Sequence, residues 1–179
     1  MKDKIIKHFK SSSELNKNEG LTWYQRAHNE CLLLSQVFEI PLGKVVGVLA
    51  ALSPNNKWQR NIHDTWNFLE KPSIKTKVCT FKKQRLKALA ILKCDGTDLS
   101  IQGILNGDKT KNFYENILYY DTSEVVTIDM WAYRSLNLKP SKKHFTLAAN
   151  AYTEAAIELN LRPHQVQAVV WGVVRGGTK

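Results

Sequence analysis

The chain has little from which to build a covalent or metal-held framework. Its 179 residues include three cysteines, Cys31, Cys79 and Cys94, odd in number and far apart. No CxxC pair and no Cys/His cluster has ligand spacing, which argues against a disulfide scaffold and a structural zinc. No metal site and no cofactor are therefore expected. Long apolar runs are also missing. VVGVLAAL is the longest clean one, far short of the roughly 20 residues that span a bilayer. The opening MKDKIIKHFK is charged but lacks the apolar centre of a secretion signal. A soluble, cytoplasmic protein with no membrane partner is the expectation. One further absence is local: from Ser73 to Cys94 there is no acid, while Lys75, Lys77, Lys82, Lys83, Arg85, Lys87 and Lys93 all fall there.

What is present has a clear bias. Twenty-six Lys and Arg face sixteen Asp and Glu, a formal charge of +10. Such an excess, clustered as it is, points to an anionic partner, and double-stranded DNA comes first. Plain solubility is the competing explanation. The hydrophobic share of 43% is ordinary for a globular protein, and a monomer is expected.

The periodicity is helical almost throughout. Residues 1–20, including SSSELNKNEG, read as a loose polar leader, and 21–179 as one helical domain whose N- and C-terminal helices pack together. Trp23, Ala27, Cys31, Leu34 and Phe38 step by three and four along a first helix. Pro41 opens a second, and GKVVGVLAALS is apolar on all sides, so that helix should be central. SPNN breaks it, and KWQRNIHDTWNFLE follows as an amphipathic helix. Residues 71–81 read as a link. In KKQRLKALAILK, Leu86, Leu89, Ala90 and Lys93 mark the expected edge. LNGDKTKNFYENILYY is a turn feeding a helix, with Asn106 or Asp108 as N-cap. VVT is a short extended link, and a helix runs from Asp129 to about Leu136. HFTLAANAYTEAAIEL is another, and the last starts at Pro163, with Val166, Val169, Val170, Val173 and Val174 inward and Gly176 and Gly177 ending it. The fold class is all-α, with about eight to ten short helices.

Two stretches suggest chemistry. In LNGDKTKN, Gly107 permits positive φ and a close backbone approach ahead of a helix start, whose amides and dipole suit a phosphate. Lys109 and Lys111 add charge there, and Thr110 and Asn112 add neutral donors. A capped surface helix with solvated lysines would give the same pattern. In VVTIDMWAYR, Asp129 interrupts an otherwise apolar segment, and a buried carboxylate is costly unless it is bonded or has a task. It is an N-cap, a catalyst, or both.

Taken in order, VVGVLAALSPNNKWQRNIHDTWNFL, FKKQRLKALAIL, LNGDKTKN, TIDMWAYR and HQVQAVVWGVVR resemble the helix-hairpin-helix DNA glycosylases of the endonuclease III type, over roughly residues 40 to 175. The resemblance implies two helical lobes flanking a DNA-binding cleft. It places Asp129 at the family's catalytic carboxylate and Lys109 at the lysine of its bifunctional members. Two departures mark a divergent branch. Gly103 and Gly107 are separated by ILN, where the family hairpin sets two glycines around one apolar residue, and the four-cysteine iron–sulfur loop is missing.

The chemistry fits these residue types. Base excision requires the base to leave the stack. A fixed carboxylate then stabilises the oxocarbenium-like sugar, and a helix start favours its anion. A lyase step adds an amine that must be partly neutral. By resemblance, Asn55, Asn56 and Lys57 face DNA at the SPNN turn, where a Pro-Asn turn capping the next helix is the alternative. Lys82, Lys83 and Arg134 are candidate backbone contacts. Trp58 and Trp131 are candidates for stacking on a base or for core packing, and Tyr24 and His28 for a base pocket or ordinary helix positions. Three readings follow: a glycosylase with or without lyase activity, a base-modifying enzyme on the same scaffold, and a non-catalytic DNA-binding module.

Overall fold

The computed structural model describes residues 1–176. Among them are eleven α-helices and no strand, so the all-α class holds. They are α1 (Lys2–Lys10), α2 (Glu14–Leu21), α3 (Trp23–Phe38), α4 (Leu42–Leu52), α5 (Trp58–Glu70), α6 (Lys82–Lys93), α7 (Asp98–Leu105), α8 (Asp108–Leu118), α9 (Met130–Ser135), α10 (Lys142–Leu159) and α11 (Pro163–Arg175). The chain divides into two compact units. Unit 1 is Met1–Arg26 with the chain from Tyr119 onward, and unit 2 is Ala27–Leu118. Among the described residues no single helix is long and apolar enough to cross a membrane.

Unit 2 is built around α4. Every residue from Val45 to Leu52 is buried, because α5, α6, α7 and α8 all pack on this helix. That is the central helix the apolar run predicts. Gly47 makes the close approach possible, since a Cβ there would lie 2.8 Å from Ile101 Cγ2 and 3.0 Å from Ile91 Cγ2. On α6 the buried residues are Ala88 and Ile91, and Leu86 is 49% exposed. The Leu86–Lys93 edge expected from sequence is thus rotated, because long aliphatic stems in a lysine-rich helix mark no unique face.

Unit 1 corrects the reading of the leader. Residues 1–20 are not loose: α1 and α2 fill most of them. Ile5 and Ile6 of α1 are buried in a core with Val126, Ile128, Tyr133, Tyr152, Val166 and Val170, and Phe9 packs against it. Ile5, Ile6 and Phe9 form a narrow apolar stripe, and the lysines between them hide it in any composition window. Ser13 caps α2 through Asn16 N–H at 3.2 Å. α2 and α11 cross closely, and Asn16 Nδ2 donates to the Val169 carbonyl at 3.0 Å. Gly176 ends α11 in the left-handed conformation, φ 93°; Gly177, also assigned to that stop, lies outside the described residues.

A buried histidine ties α11 to the turn that follows α8. His164 is 1% exposed. Its Nε2 donates to the Tyr120 carbonyl at 2.9 Å. Burial, helped by the Arg162 charge, lowers its pKa from 6.5 to about 4. The unfolded chain therefore takes up this proton at higher pH than the native one. Stability from this residue is complete above about pH 6.5 and is lost as pH falls toward 4. The expected loss is about 3 kcal/mol. Urea midpoints at pH 7 and pH 4 measure it, and the difference should shrink in His164→Leu; an equal difference in both proteins would assign the acid sensitivity elsewhere.

Candidate active site

Asp129 is the N-cap of α9, and its Oδ1 accepts the Ala132 N–H at 2.8 Å. The carboxylate is half-buried. On one side Val126, Thr127 and Ile128 are buried, and on the other Ala132 and Tyr133. The residue is therefore a cap held between two anchored segments, which is compatible with a catalytic task and does not require one. Trp131 and Arg134 lie one turn apart on α9, and the Arg134 guanidinium sits 4.5 Å over the Trp131 ring. Arg134 is itself exposed, so it can reach a phosphate while covering one indole face.

Tyr24 is also in unit 1, where it is a core side chain. It is 4% exposed, its hydroxyl donates to Gln167 Oε1 at 3.3 Å, and Trp23 and His164 meet its ring edge-on. The expectation of a base-pocket role for Tyr24 gives way to a packing role. The periodicity could not separate the two, since both use an aromatic on an apolar helix face.

The remaining candidates belong to unit 2. α7 and α8 are joined by Asn106 and Gly107 alone. Sequence reading missed α7, and with it the role of Asn106. Asn106 is not the N-cap of α8 but the left-handed C-cap of α7, φ 49°. The positive φ expected at Gly107 belongs to Asn106, and asparagine enters the left-handed region more readily than most other non-glycine residues. Gly107 instead accepts at its carbonyl from Lys111 N–H (2.9 Å) and from the Thr110 hydroxyl (3.0 Å). That hydroxyl proton is therefore not available to a phosphate. Lys109 is exposed, while Lys111 and Asn112 are half-buried. The link is braced from α6, where the Lys87 ammonium donates to the Leu105 carbonyl. Burial and the nearby Lys83 lower the Lys87 pKa.

The SPNN turn is organised by a residue that sequence reading passed over. Asn61, Asp64, Thr65, Phe68 and Leu69 occupy the buried face of α5. Three polar residues at core-facing steps were the available signal. Asp64 Oδ2 accepts from Asn56 Nδ2 and from the Cys79 backbone N–H, each at 2.8 Å. One carboxylate oxygen thus ties the turn at 53–57 to the link at 71–81. Asn55 beside it is exposed and left-handed, φ 61°. Asn56, in contrast, is committed to Asp64. Lys57 is the exposed N-cap residue of α5, and Arg60 Nη1 reaches Cys79 Sγ at 3.3 Å. Asp64→Ala would strand two donors, so a loss of about 2 kcal/mol is expected in urea unfolding; a change below about 0.5 kcal/mol would mean the node is not structural.

Elsewhere in unit 2, Trp58 is half-buried and its Nε1 donates to Glu30 Oε1 at 3.4 Å. His28 Nδ1 donates to the Ile117 carbonyl at 3.0 Å. Lys82 and Lys83, in the first turn of α6, are exposed. Cations at a helix start oppose its dipole, so their placement there is not explained by helix stability. Among the described residues no group of three or more His, Cys, Asp or Glu could hold a metal ion.

A family model matches residues 1–178, almost the whole chain. The chain belongs to DUF7178, a family of unknown function. No curated protein and no solved structure matches it. Membership in DUF7178 thus assigns no activity to the chain.

Proposed function

We propose that this member of DUF7178 is a DNA glycosylase that flips a damaged or modified base and cleaves its N-glycosidic bond. The observation that carries this reading is the setting of Asp129. Its carboxylate is only half-buried, yet it is fixed at a helix start between two buried segments. A preoriented anion of this kind stabilises the positive charge that develops at the sugar C1′ as the base departs. Exposed Asn55, Lys57, Lys82, Lys83 and Lys109 supply amide and ammonium donors for the backbone of double-stranded DNA. The test is base release from duplexes carrying a panel of modified pyrimidines and purines. Release from at least one supports the reading, and release from none rejects it.

The exposure of Lys109 favours excision without a lyase step. An amine attacks C1′ only when neutral, and desolvation is a principal means of neutralising it. Lys109 is solvent-facing. Borohydride treatment with abasic DNA should therefore trap no covalent adduct. An adduct that vanishes in Lys109→Ala would instead assign the lyase chemistry to that amine.

A further inference from the structure

α9 has six residues, too few to persist by its own backbone bonds. Its N-terminus is held by Asp129 itself, so the orientation of that carboxylate depends on what holds the other end. Ser135, the last residue of α9, is 1% exposed, as is Tyr152 of α10. Ser135 Oγ donates to the Ala132 carbonyl at 2.8 Å and lies 2.9 Å from the Tyr152 hydroxyl. Since the serine proton is already directed at Ala132, the Tyr152 O–H donates to Ser135 Oγ. The order of protons is then set: Tyr152 to Ser135, Ser135 to Ala132, and Ala132 N–H to Asp129 Oδ1. From α1, His8 Nε2 donates to the Ser135 carbonyl at 3.2 Å. Burial, together with the Asp129 charge, raises the Tyr152 pKa well above its ordinary 10. The phenol therefore stays a donor, and the two groups feel each other electrostatically.

We infer that Tyr152 and His8 are positioning residues for Asp129: they clamp the C-terminal end of α9 so that the cap at its N-terminal end cannot fray. This makes α1 part of the catalytic unit. The inference deepens the glycosylase reading and rests on it for the function of Asp129, but the clamp itself can be tested without activity.

The experiment uses the full chain with Tyr152→Phe, His8→Ala and His8→Gln. In Tyr152→Phe and His8→Ala, the Ala132 amide should exchange with solvent about tenfold faster, while amides in the middle of α10 and α11 should be unchanged. His8→Gln keeps a side-chain N–H donor and should restore protection. On a substrate that the wild type cleaves, single-turnover base release should fall about as much in the first two variants, with DNA affinity within twofold of wild type. Equal acceleration of all core amides, or none at Ala132, overturns the clamp. If Tyr152→Phe does not fold, the His8 pair decides by the same readout, because His8 is only half-buried. If the wild type releases no base, the glycosylase reading falls while exchange still judges the clamp.

Discussion

Asp129→Asn is expected to lower base release by about 10²–10³-fold while leaving the melting temperature within a degree or two of wild type. The substitution separates two roles that Asp129 combines. As an N-cap, asparagine is about as good as aspartate, and its Oδ1 can still accept the Ala132 N–H that Asp129 Oδ1 accepts at 2.8 Å. Helix α9 should therefore stay intact. The charge is lost, and with it the electrostatic stabilisation of a cationic sugar. Asp129→Ala would be less informative, because it removes cap and charge together and costs about 1 kcal/mol of stability. Base release by Asp129→Asn equal to wild type would reduce the residue to a cap. DNA affinity should be unchanged or slightly higher, since a negative charge has been removed from a protein of charge +10.

Gly20→Ala should cost about 4 kcal/mol, because overpacking alone typically costs 1–3 and a broken buried hydrogen bond adds to it. A Cβ on Gly20 would stand 2.7 Å from both Cα and N of Val169 and 2.6 Å from its Cγ2. Two of these three atoms are backbone, so no rotamer change relieves the contact and α2 must move off α11. The shift would strain the hydrogen bonds of buried Asn16 to the Val169 carbonyl and to Ser12 Oγ. Gly172, at the same crossing, is as tight: its Cβ would fall 1.8 Å from Asn16 Oδ1. Gly103 is the control. It lies within α7 with nothing inside 4 Å of an added Cβ, so Gly103→Ala should stabilise by about 0.5–1 kcal/mol through helix propensity. Urea midpoints of the two variants should move in opposite directions; if both moved the same way, the α2–α11 crossing would not be the cause.

Most helices were legible from periodicity, and the reasons some were not are specific. α4 is buried on every side, as a run of eight small and branched apolar residues requires. α10 and α11 follow their three- and four-residue steps within a residue or two of the expected ends. α1 escaped because its stripe of Ile5, Ile6 and Phe9 is narrow and lies among charges, so only the partner surface in unit 1 shows it to be core. α7 escaped because Asp98–Leu105 is short and ends without a glycine; its stop is a left-handed Asn106. Spacing alone therefore assigns the positive φ of the α7–α8 link to Gly107, whereas it belongs to Asn106.

The candidate site divides in the same way. By itself the sequence determined an all-α protein, an excess of positive charge concentrated in residues 73–94, and an aspartate placed where the pattern calls for a core residue. Those properties depend on residue type and on spacing along the chain. Only the tertiary structure decided that Asp129 caps a six-residue helix whose far end is bonded to α1 and α10, that Tyr24 is packed in a core, and that one oxygen of Asp64 joins the SPNN turn to the basic link. The pairings behind them, His8 with Ser135, Ser135 with Tyr152, Tyr24 with Gln167 and Asp64 with Cys79, join residues 15 to 143 positions apart. Local propensity acts over a few residues and carries no information at that range; such pairings exist because burying the apolar faces brings distant polar groups together, where each must find a partner.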